Sequence, residues 1–224
     1  MTFLGIDYSD LDWAEIWTAS GDTLQMMFFS VLFTILVGLP LGVLLFLTSR
    51  SRHTLVGIVY SILSFIVNIL RSVPFIILMV AIIPFTKIVA GTAIGVQGTI
   101  PPLVIAAAPF FARLVETSLR EIDRGVIEAA QAMGASTWQI VRKVLLPEAM
   151  PGLIAGTTIT AVTLVSYTAM SGMVGGGGLG DLAIRYGYHR YELSVMIVAI
   201  VIMVILVQLL QWIGDSLVKR YTRK

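Results

Sequence analysis

The sequence predicts an all-α, polytopic membrane protein with five transmembrane helices. Three observations predict this fold: 57% of the 224 residues are hydrophobic, only 12% are charged, and the apolar residues gather in long windows. Soluble proteins average about half apolar and a quarter charged residues, whereas a helix needs about 20 apolar residues to cross roughly 30 Å of hydrocarbon. The chain contains no cysteine, which excludes a disulfide framework and a cysteine nucleophile.

Four of the five apolar windows are continuous, and they cover residues 24–47, 92–114, 153–173 and 193–213. The window over 55–85 is interrupted by RSVP at 71–74. Its flanks of sixteen and eleven apolar-rich residues each fall short of the about 20 that a span needs. We therefore expect one tilted or broken span there. The expected organisation is an N-terminal arm (1–23), a transmembrane domain (24–213) and a tail (214–224).

The charges predict the orientation of these spans. The first 22 residues contain no lysine or arginine but five acidic residues, Asp7, Asp10, Asp12, Glu15 and Asp22, whereas the final KRYTRK contains four basic residues. Lysine and arginine accumulate on the cytoplasmic side, so we expect the N-terminus outside and the C-terminus in the cytoplasm. The loops that hold Arg50, Arg52, Arg120, Arg124, Arg142 and Lys143 are then also cytoplasmic.

The longest cytoplasmic loop, about 116–151, has a helical pattern but is too polar to form a span. Apolar residues recur at helical spacing, at Val126, Ala129, Ala130 and Met133. Gly134 can take the left-handed conformation that ends a helix, and Ser136 with Gln139 matches a capping box that opens a second helix. Pro147 is expected to end that helix. Taken alone, this hairpin could simply cover the ends of the spans.

The same loop resembles the EAA loop of type I ABC importer permeases. Glu128-Ala129-Ala130 is followed after three residues by Gly134 and after nine more by Val144-Leu145-Leu146-Pro147. The family pattern ends in Ile-x-Leu-Pro, and Val144 keeps the branched apolar shape of the isoleucine. Within that family, three blocks are similar to the permeases of methionine importers: RSVPFIILMVAIIPFT, IVRKVLLPEAMPGL and SYTAMSGMVGGGGLGDL. Together with the matching order of the spans, the similarity covers roughly 24–224.

The resemblance implies that this loop is a coupling helix, which docks on a separate ATPase subunit. The residues expected to take part are Glu128, Ala129, Ala130, Met133, Gly134, Trp138, Val144, Leu146 and Pro147. Glu128 could either cap its own helix or pair with a basic residue of the partner. The resemblance further implies a homodimer, two cytoplasmic ATPase subunits that use ATP and magnesium, an extracytoplasmic binding protein and surrounding lipid.

The chain itself is expected to be no enzyme and to hold no cofactor or metal. The glycine-rich run at 175–180 lacks the Gly-Lys-Ser/Thr of a phosphate-binding loop, so we expect a flexible or tightly turning outer loop. The family resemblance offers a gating or docking role for the binding protein as the alternative. His53 and His189 are isolated from other ligand-type residues. The formal charge of +2 is too small to indicate a nucleic-acid partner.

Two further groups of residues leave alternatives open. Ser166, Tyr167, Met170 and Met173 end the fourth span, where they could line or close a transport pathway or could be ordinary packing. Arg71 could snorkel at a span end or pair with carbonyls that Pro74 frees, and we expect a structural role for both residues.

The sequence also leaves two other functions open. A permease of the same family could import another small solute, such as a polar amino acid or glycine betaine. An ion-driven secondary transporter usually shows acidic residues within its spans, and the predicted spans contain no clear pair of them.

Overall fold

The computed structural model describes residues 11–50 and 54–222, together with the backbone of two short strands. These strands, β1 (Thr2–Phe3) and β2 (Ile6–Asp7), pair in antiparallel register. Asp10, Arg52 and His53 lie outside the described residues, as does the side chain of Asp7. The expectations that concern these residues stay predictions.

The rest of the described chain is almost entirely helical. In chain order the helices are α1 (Trp13–Ser49), α2 (Thr54–Ser72), α3 (Phe75–Ala81), α4 (Ile83–Ala90), α5 (Gly95–Arg120), α6 (Arg124–Ala132), α7 (Thr137–Ile140), α8 (Leu146–Glu148), α9 (Met150–Ser171), α10 (Gly178–Leu182) and α11 (Leu193–Thr222). Val141–Leu145 and Ala183–Tyr188 form wide π-helical turns, and Gly172–Val174 forms a 3₁₀ turn. Within the described residues, five helices are long and apolar enough to cross a membrane: α1, α2, α5, α9 with its 3₁₀ turn, and α11. The predicted number of spans is confirmed.

The second apolar window is divided differently from the prediction. α2 alone has 19 residues, which corresponds to about 28 Å of helix and is enough to cross the hydrocarbon. Polar residues at its ends, Thr54, Arg71 and Ser72, belong to the helix and lengthen it beyond the apolar window. The expectation that neither flank could span alone was therefore wrong. The second flank forms α3 and α4, which have only 7 and 8 residues.

The first and last spans extend beyond their apolar windows. α1 begins at Trp13, inside the predicted N-terminal arm, because the Asp12 carboxylate accepts hydrogen bonds from the amides of Ala14 and Glu15 at 3.0 and 3.2 Å. Such an N-cap satisfies amides that have no partner within the helix. α11 continues to Thr222 and includes most of the predicted tail. Helical structure at both ends therefore exceeds what hydropathy alone predicts.

The chain divides into two compact units. One contains residues 1–32, 73–106 and 161–210, and the other contains 33–72, 107–160 and 211–224. The core of the first unit combines buried residues of α1, α10 and α11, namely Ile16, Ala19, Leu179, Leu182, Val195 and Ala199. The core of the second unit combines α1 and α5 with the hairpin α6–α8 and the start of α9.

Small residues allow α1 and α5 to approach closely within the second unit. A β-carbon at Gly38 would lie 2.9 Å from the carbonyl oxygen of Ala108, and one at Gly42 would lie 2.6 Å from that of Ala112. Gly-x-x-x-Gly on α1 thus meets Ala-x-x-x-Ala on α5. Lipid offers no hydrophobic driving force between helices, so close packing of this kind holds them together.

Candidate functional site

The hairpin α6–α8 begins at a cap that the sequence analysis missed. The Asp123 carboxylate accepts a hydrogen bond of 2.7 Å from the amide of Gly125 and so caps α6. Glu128 lies further along α6 and is exposed. The alternative in which Glu128 caps its own helix was therefore wrong, and its carboxylate is accessible to a partner.

The turn between α6 and α7 has the predicted geometry. Gly134 has a φ of 77°, in the left-handed region. The amide of Gly134 donates to the carbonyl of Gln131, and the amide of Ala135 donates to that of Ala130. This is the Schellman pattern, which satisfies carbonyls at the end of a helix. The capping box that opens α7 is also confirmed, because the side chains of Ser136 and Gln139 each accept a hydrogen bond from the other residue's amide, at 3.4 and 2.8 Å.

Pro147 does not end the second helix of the hairpin. It is the second residue of α8, which directly follows the wide turn Val141–Leu145. A proline has no amide to donate within a helix, but the wide turn places Pro147 at the start of α8, where that donor is not needed. The chain continues with only Ala149 between α8 and α9. The segment between the spans α5 and α9 accordingly covers 121–149, shorter than the predicted 116–151.

One face of the hairpin is firmly packed. Its buried residues are Ile127, Ala130, Ile140, Val141 and Leu145, and Val144 and Leu146 pack against them. They contact Val115 and Leu119 in the last turns of α5 and Ile122 just beyond it. The hairpin and the end of α5 therefore share one buried apolar cluster.

The opposite face of the hairpin presents apolar side chains to the surroundings. Met133 is 82% exposed, Trp138 is 69% exposed and Val126 is 43% exposed. The predicted apolar stripe is thus mainly an exposed surface, since Ala129 is exposed as well and Ala130 alone points into the core. We call Val126, Ala129, Met133 and Trp138 the apolar tip. Exposed apolar residues grouped in this way mark a surface for a partner.

The residues expected to line a pathway lie along one side of α9 and of the 3₁₀ turn that follows it. Ser166 is exposed, and Met170 and Met173 are 45% and 65% exposed. Tyr167 is half-buried because its ring stacks on Phe75, with the ring centroids 4.5 Å apart and the planes at 3°. Ser166 also lines a groove of about 260 Å³ between α9 and α11. The structure brings these four residues onto one accessible face.

The glycine-rich run at 175–180 forms a tight turn, which agrees with the expectation of a flexible or tightly turning loop. Gly175, Gly177 and Gly178 have φ values of 79°, 80° and 75°. A β-carbon at Gly180 would lie 2.4 Å from the carbonyl oxygen of Ala169. Two backbone segments therefore approach each other so closely that only glycine fits.

Arg71 lies in the last turn of α2 and is exposed. Its guanidinium lies over the ring of Phe110, at 5.8 Å from the centroid. The carbonyl of Pro74 accepts hydrogen bonds from the amides of Ile77 and Leu78 and helps to start α3. The alternative of a buried arginine was therefore wrong, and Arg71 sits at the end of a span.

An ionic group lies between α1, α10 and the turn that follows α10. Arg185 donates to Glu15 at 2.8 Å and to Asp181 at 3.2 Å. Partial burial by itself lowers the pKa of the Arg185 guanidinium. The hydrogen bond to Glu15 and the charges of both carboxylates raise this pKa by more, so the net change is upward. Arg185 therefore remains a fixed cation beside two acids.

Sequence analysis also missed an ionic cluster on α5. Glu116, which the prediction placed in the loop, is buried in α5 and forms ion pairs with Arg113 and Arg120. α5 therefore contains a buried acidic residue, which two arginines neutralise. The spacing of these three residues, i, i+3 and i+7, places them on one helical face and is the signal that could have revealed the cluster.

Five membrane-spanning helices, an accessible face on α9 and a packed hairpin with an apolar tip define a helical membrane transport component. The chain belongs to the family of binding-protein-dependent transport system inner membrane components, whose family model matches residues 38–223.

Similar proteins give the same assignment. The D-methionine transport system permease protein MetI of Escherichia coli O157:H7 is 55% identical over 141 residues, which are 63% of this chain and 65% of that protein. The probable D-methionine transport system permease protein MetI of Pasteurella multocida is 47% identical over 212 residues, 95% of this chain and 98% of that protein. A solved structure of the MetNI methionine ABC transporter in inward-facing conformations matches with a TM-score of 0.91 and 50% identity, covering 95% of this chain and 99% of that chain.

Proposed function

We propose that this chain is the permease subunit of an ATP-driven methionine importer, coupled to a separate ATPase through the hairpin α6–α8. The observation that supports this most strongly is the hairpin itself, packed on one face and apolar and exposed on the other. Methionine is proposed because the relatives are named methionine permeases. Membership of a binding-protein-dependent family favours this function over an ion-driven transporter.

The proposed assembly contains two copies of the chain, two ATPase subunits that bind ATP and magnesium, and an extracytoplasmic binding protein. The basic end of α11, with Lys219 and Arg220, lies in the cytoplasm, and the acidic N-terminus lies outside. The hairpin then faces the cytoplasm together with Arg142 and Lys143. The many exposed apolar side chains of the spans are covered by lipid and by the second copy.

In this mechanism the apolar tip enters a groove of the ATPase, with Met133 and Trp138 as anchors. Closure of the ATPase dimer around ATP moves the hairpin. Because Val115, Leu119 and Ile122 are buried against the hairpin, the end of α5 moves with it. The spans then change from an inward-open to an outward-open arrangement.

The accessible face of α9 would line the pathway between the two copies. Met170 and Met173 are unbranched and flexible, so they can fill a closed pathway and repack when it opens. Tyr167 is held against Phe75 and would form a more rigid part of the same wall. The tight glycine turn after α9 fixes the end of this segment.

The test compares two tryptophans of equal exposure. Trp138 is 69% exposed on the hairpin and Trp212 is 70% exposed on α11. We expect Trp138→Ala to reduce the ATPase that copurifies with the tagged chain, because a central aromatic anchor is lost, whereas Trp212→Ala should retain it. Equal retention by both variants, or no ATPase with the parent chain, would contradict the proposed coupling.

A further inference from the structure

α2 has one small apolar contact within its unit, where Val67 packs with Leu45 of α1 and Ala112 of α5. Among the residues of α2, all of which the structure describes, Val67 is the one that is buried. Leu55, Ile62 and Phe65 are each more than half exposed. Because lipid is as apolar as these side chains, their burial would not direct α2 to one position. Polar contacts therefore add to this small cluster in fixing where α2 sits.

Three polar residues of α2 provide such contacts, and all of them are made to α5. Tyr60, Ser64 and Asn68 follow one another at four-residue spacing, so they share a face of α2. Arg113 donates to the Ser64 hydroxyl at 2.8 Å and to the Asn68 side-chain oxygen at 3.0 Å. At the other end, Arg120 donates to the Tyr60 hydroxyl at 3.1 Å.

Glu116 connects these contacts. One of its carboxylate oxygens accepts from Arg113, and the other accepts from Arg120 and from the Tyr60 hydroxyl at 3.3 Å. Its side chain is only 2% exposed, so removal of its charge would leave two guanidinium groups facing each other with no anion between them. A charged group inside a span is costly and is retained when it has a role.

The position of this cluster links α2 to the hairpin. The last turns of α5 have two occupied faces: Val115 and Leu119 pack on the hairpin, whereas Arg113, Glu116 and Arg120 bind α2. The buried cluster around the hairpin includes no residue of α2 among the described residues. α5 thus stands between the hairpin and α2.

We propose that Glu116 is a positioning residue that makes α2 move as one body with the hairpin during transport. This inference rests on the proposed coupling function. Without Glu116 the hairpin would still dock on the ATPase, but its displacement would no longer carry α2 along. The hydrolysis of ATP would then be poorly coupled to uptake.

The test uses a charge removal with a matched control. Glu116→Gln keeps the size of the side chain and removes its charge, whereas Glu121→Gln makes the same change at an exposed position one residue beyond α5. Spin labels on cysteines at Leu55 and Arg124, both exposed, report the distance from α2 to the hairpin. Because the chain has no cysteine of its own, only these positions are labelled, and dilution with unlabelled chain isolates one pair.

We expect a single narrow distance, unchanged by ATP, in the parent and in Glu121→Gln. In Glu116→Gln we expect a broad, ATP-dependent distance and uptake reduced about tenfold, within the usual range of coupling effects, with normal retention of the ATPase. A narrow, ATP-independent distance with parental uptake in Glu116→Gln would overturn the inference, as would an ATP-dependent distance in the parent. Failure of the parent to retain the ATPase would instead contradict the proposed function.

A milder variant keeps the test decisive if Glu116→Gln does not fold. Tyr60→Phe, Ser64→Ala and Asn68→Ala together remove the α2 partners and leave the ion pairs of Glu116 intact. This triple variant should fold, retain the ATPase and show the same broad distance. Parental distance and uptake in the triple variant would overturn the inference.

Discussion

Gly134 is a single residue on which the geometry of the hairpin depends. Its φ of 77° lies in a region that residues with a β-carbon enter at a cost of about 1–3 kcal/mol. A β-carbon there would meet no atom within 4 Å, so the constraint comes from the backbone and not from space. A substitution at Gly134 should therefore reshape the turn without disturbing the spans.

We predict that Gly134→Val leaves membrane yield unchanged and sharply lowers both ATPase retention and ATP-coupled uptake. Gly134→Asn is the matched control, because asparagine tolerates the left-handed region better than a β-branched residue does. Uptake per inserted permease and copurified ATPase are the measurements. Parental values for Gly134→Val would mean that the hairpin is not the coupling element.

Met170 allows a residue-scale test of the pathway. It is 45% exposed on the accessible face of α9, and Met150, at the start of the same helix, is 36% exposed. We predict that Met170→Ala raises passive leak or uncoupled ATP hydrolysis in reconstituted vesicles, whereas Met150→Ala does not. Unchanged leak and coupling in Met170→Ala would identify this methionine as ordinary packing.

At the scale of elements, the contact between α1 and α5 depends on the absence of side chains. A β-carbon at Gly42 would lie 2.5 Å from the β-carbon of Val115 and 2.6 Å from the carbonyl oxygen of Ala112. Neither atom can move without shifting α5. α1 also contains Gly21, where a β-carbon would meet no atom within 4 Å.

We predict that Gly42→Ala lowers the free energy of unfolding of the detergent-solubilised protein by about 1–3 kcal/mol, the usual cost of overpacking. Gly21→Ala should be neutral or slightly stabilising, since alanine favours a helix by roughly 0.5–1 kcal/mol over glycine. Thermal unfolding of the two variants and the parent is the measurement. Equal stability of Gly42→Ala and the parent would show that α1 and α5 are not in close contact.

Elements whose signals are local could be predicted from the sequence. The span number follows from hydropathy, and the turn at Gly134 and the capping box at Ser136 depend on neighbouring residues alone. Other features depend on distant residues. The burial of Glu116 requires α2 to lie beside α5, and the tolerance of Pro147 requires a wide turn before it; neither condition is visible in a single segment.

At the scale of the whole molecule, an odd number of spans places the termini on opposite sides of the membrane. We predict that single cysteines at Ser9 and Thr222 react with a membrane-impermeant reagent from opposite faces. Ser9 lies outside the described residues, whereas Thr222 is the last residue of α11. Labelling of both positions from the same face would exclude five spans.

The family and the class of transport could be predicted because several separated blocks of sequence occur in the right order. The substrate could not be derived from physical chemistry, because Ser166, Tyr167 and Met170 form a weakly polar face with no charged group that would select one solute. The proposal of methionine therefore depends on similarity to the named relatives.

Uptake of radiolabelled methionine tests the central claim most directly. The vesicles would contain this chain with its ATPase, ATP on the side of the hairpin and the binding protein on the other side. The account predicts accumulation of methionine against its gradient, dependent on ATP hydrolysis and lost in Trp138→Ala but not in Trp212→Ala. Accumulation driven by an ion gradient without the ATPase would contradict it, as would accumulation of glycine betaine or a polar amino acid with no uptake of methionine.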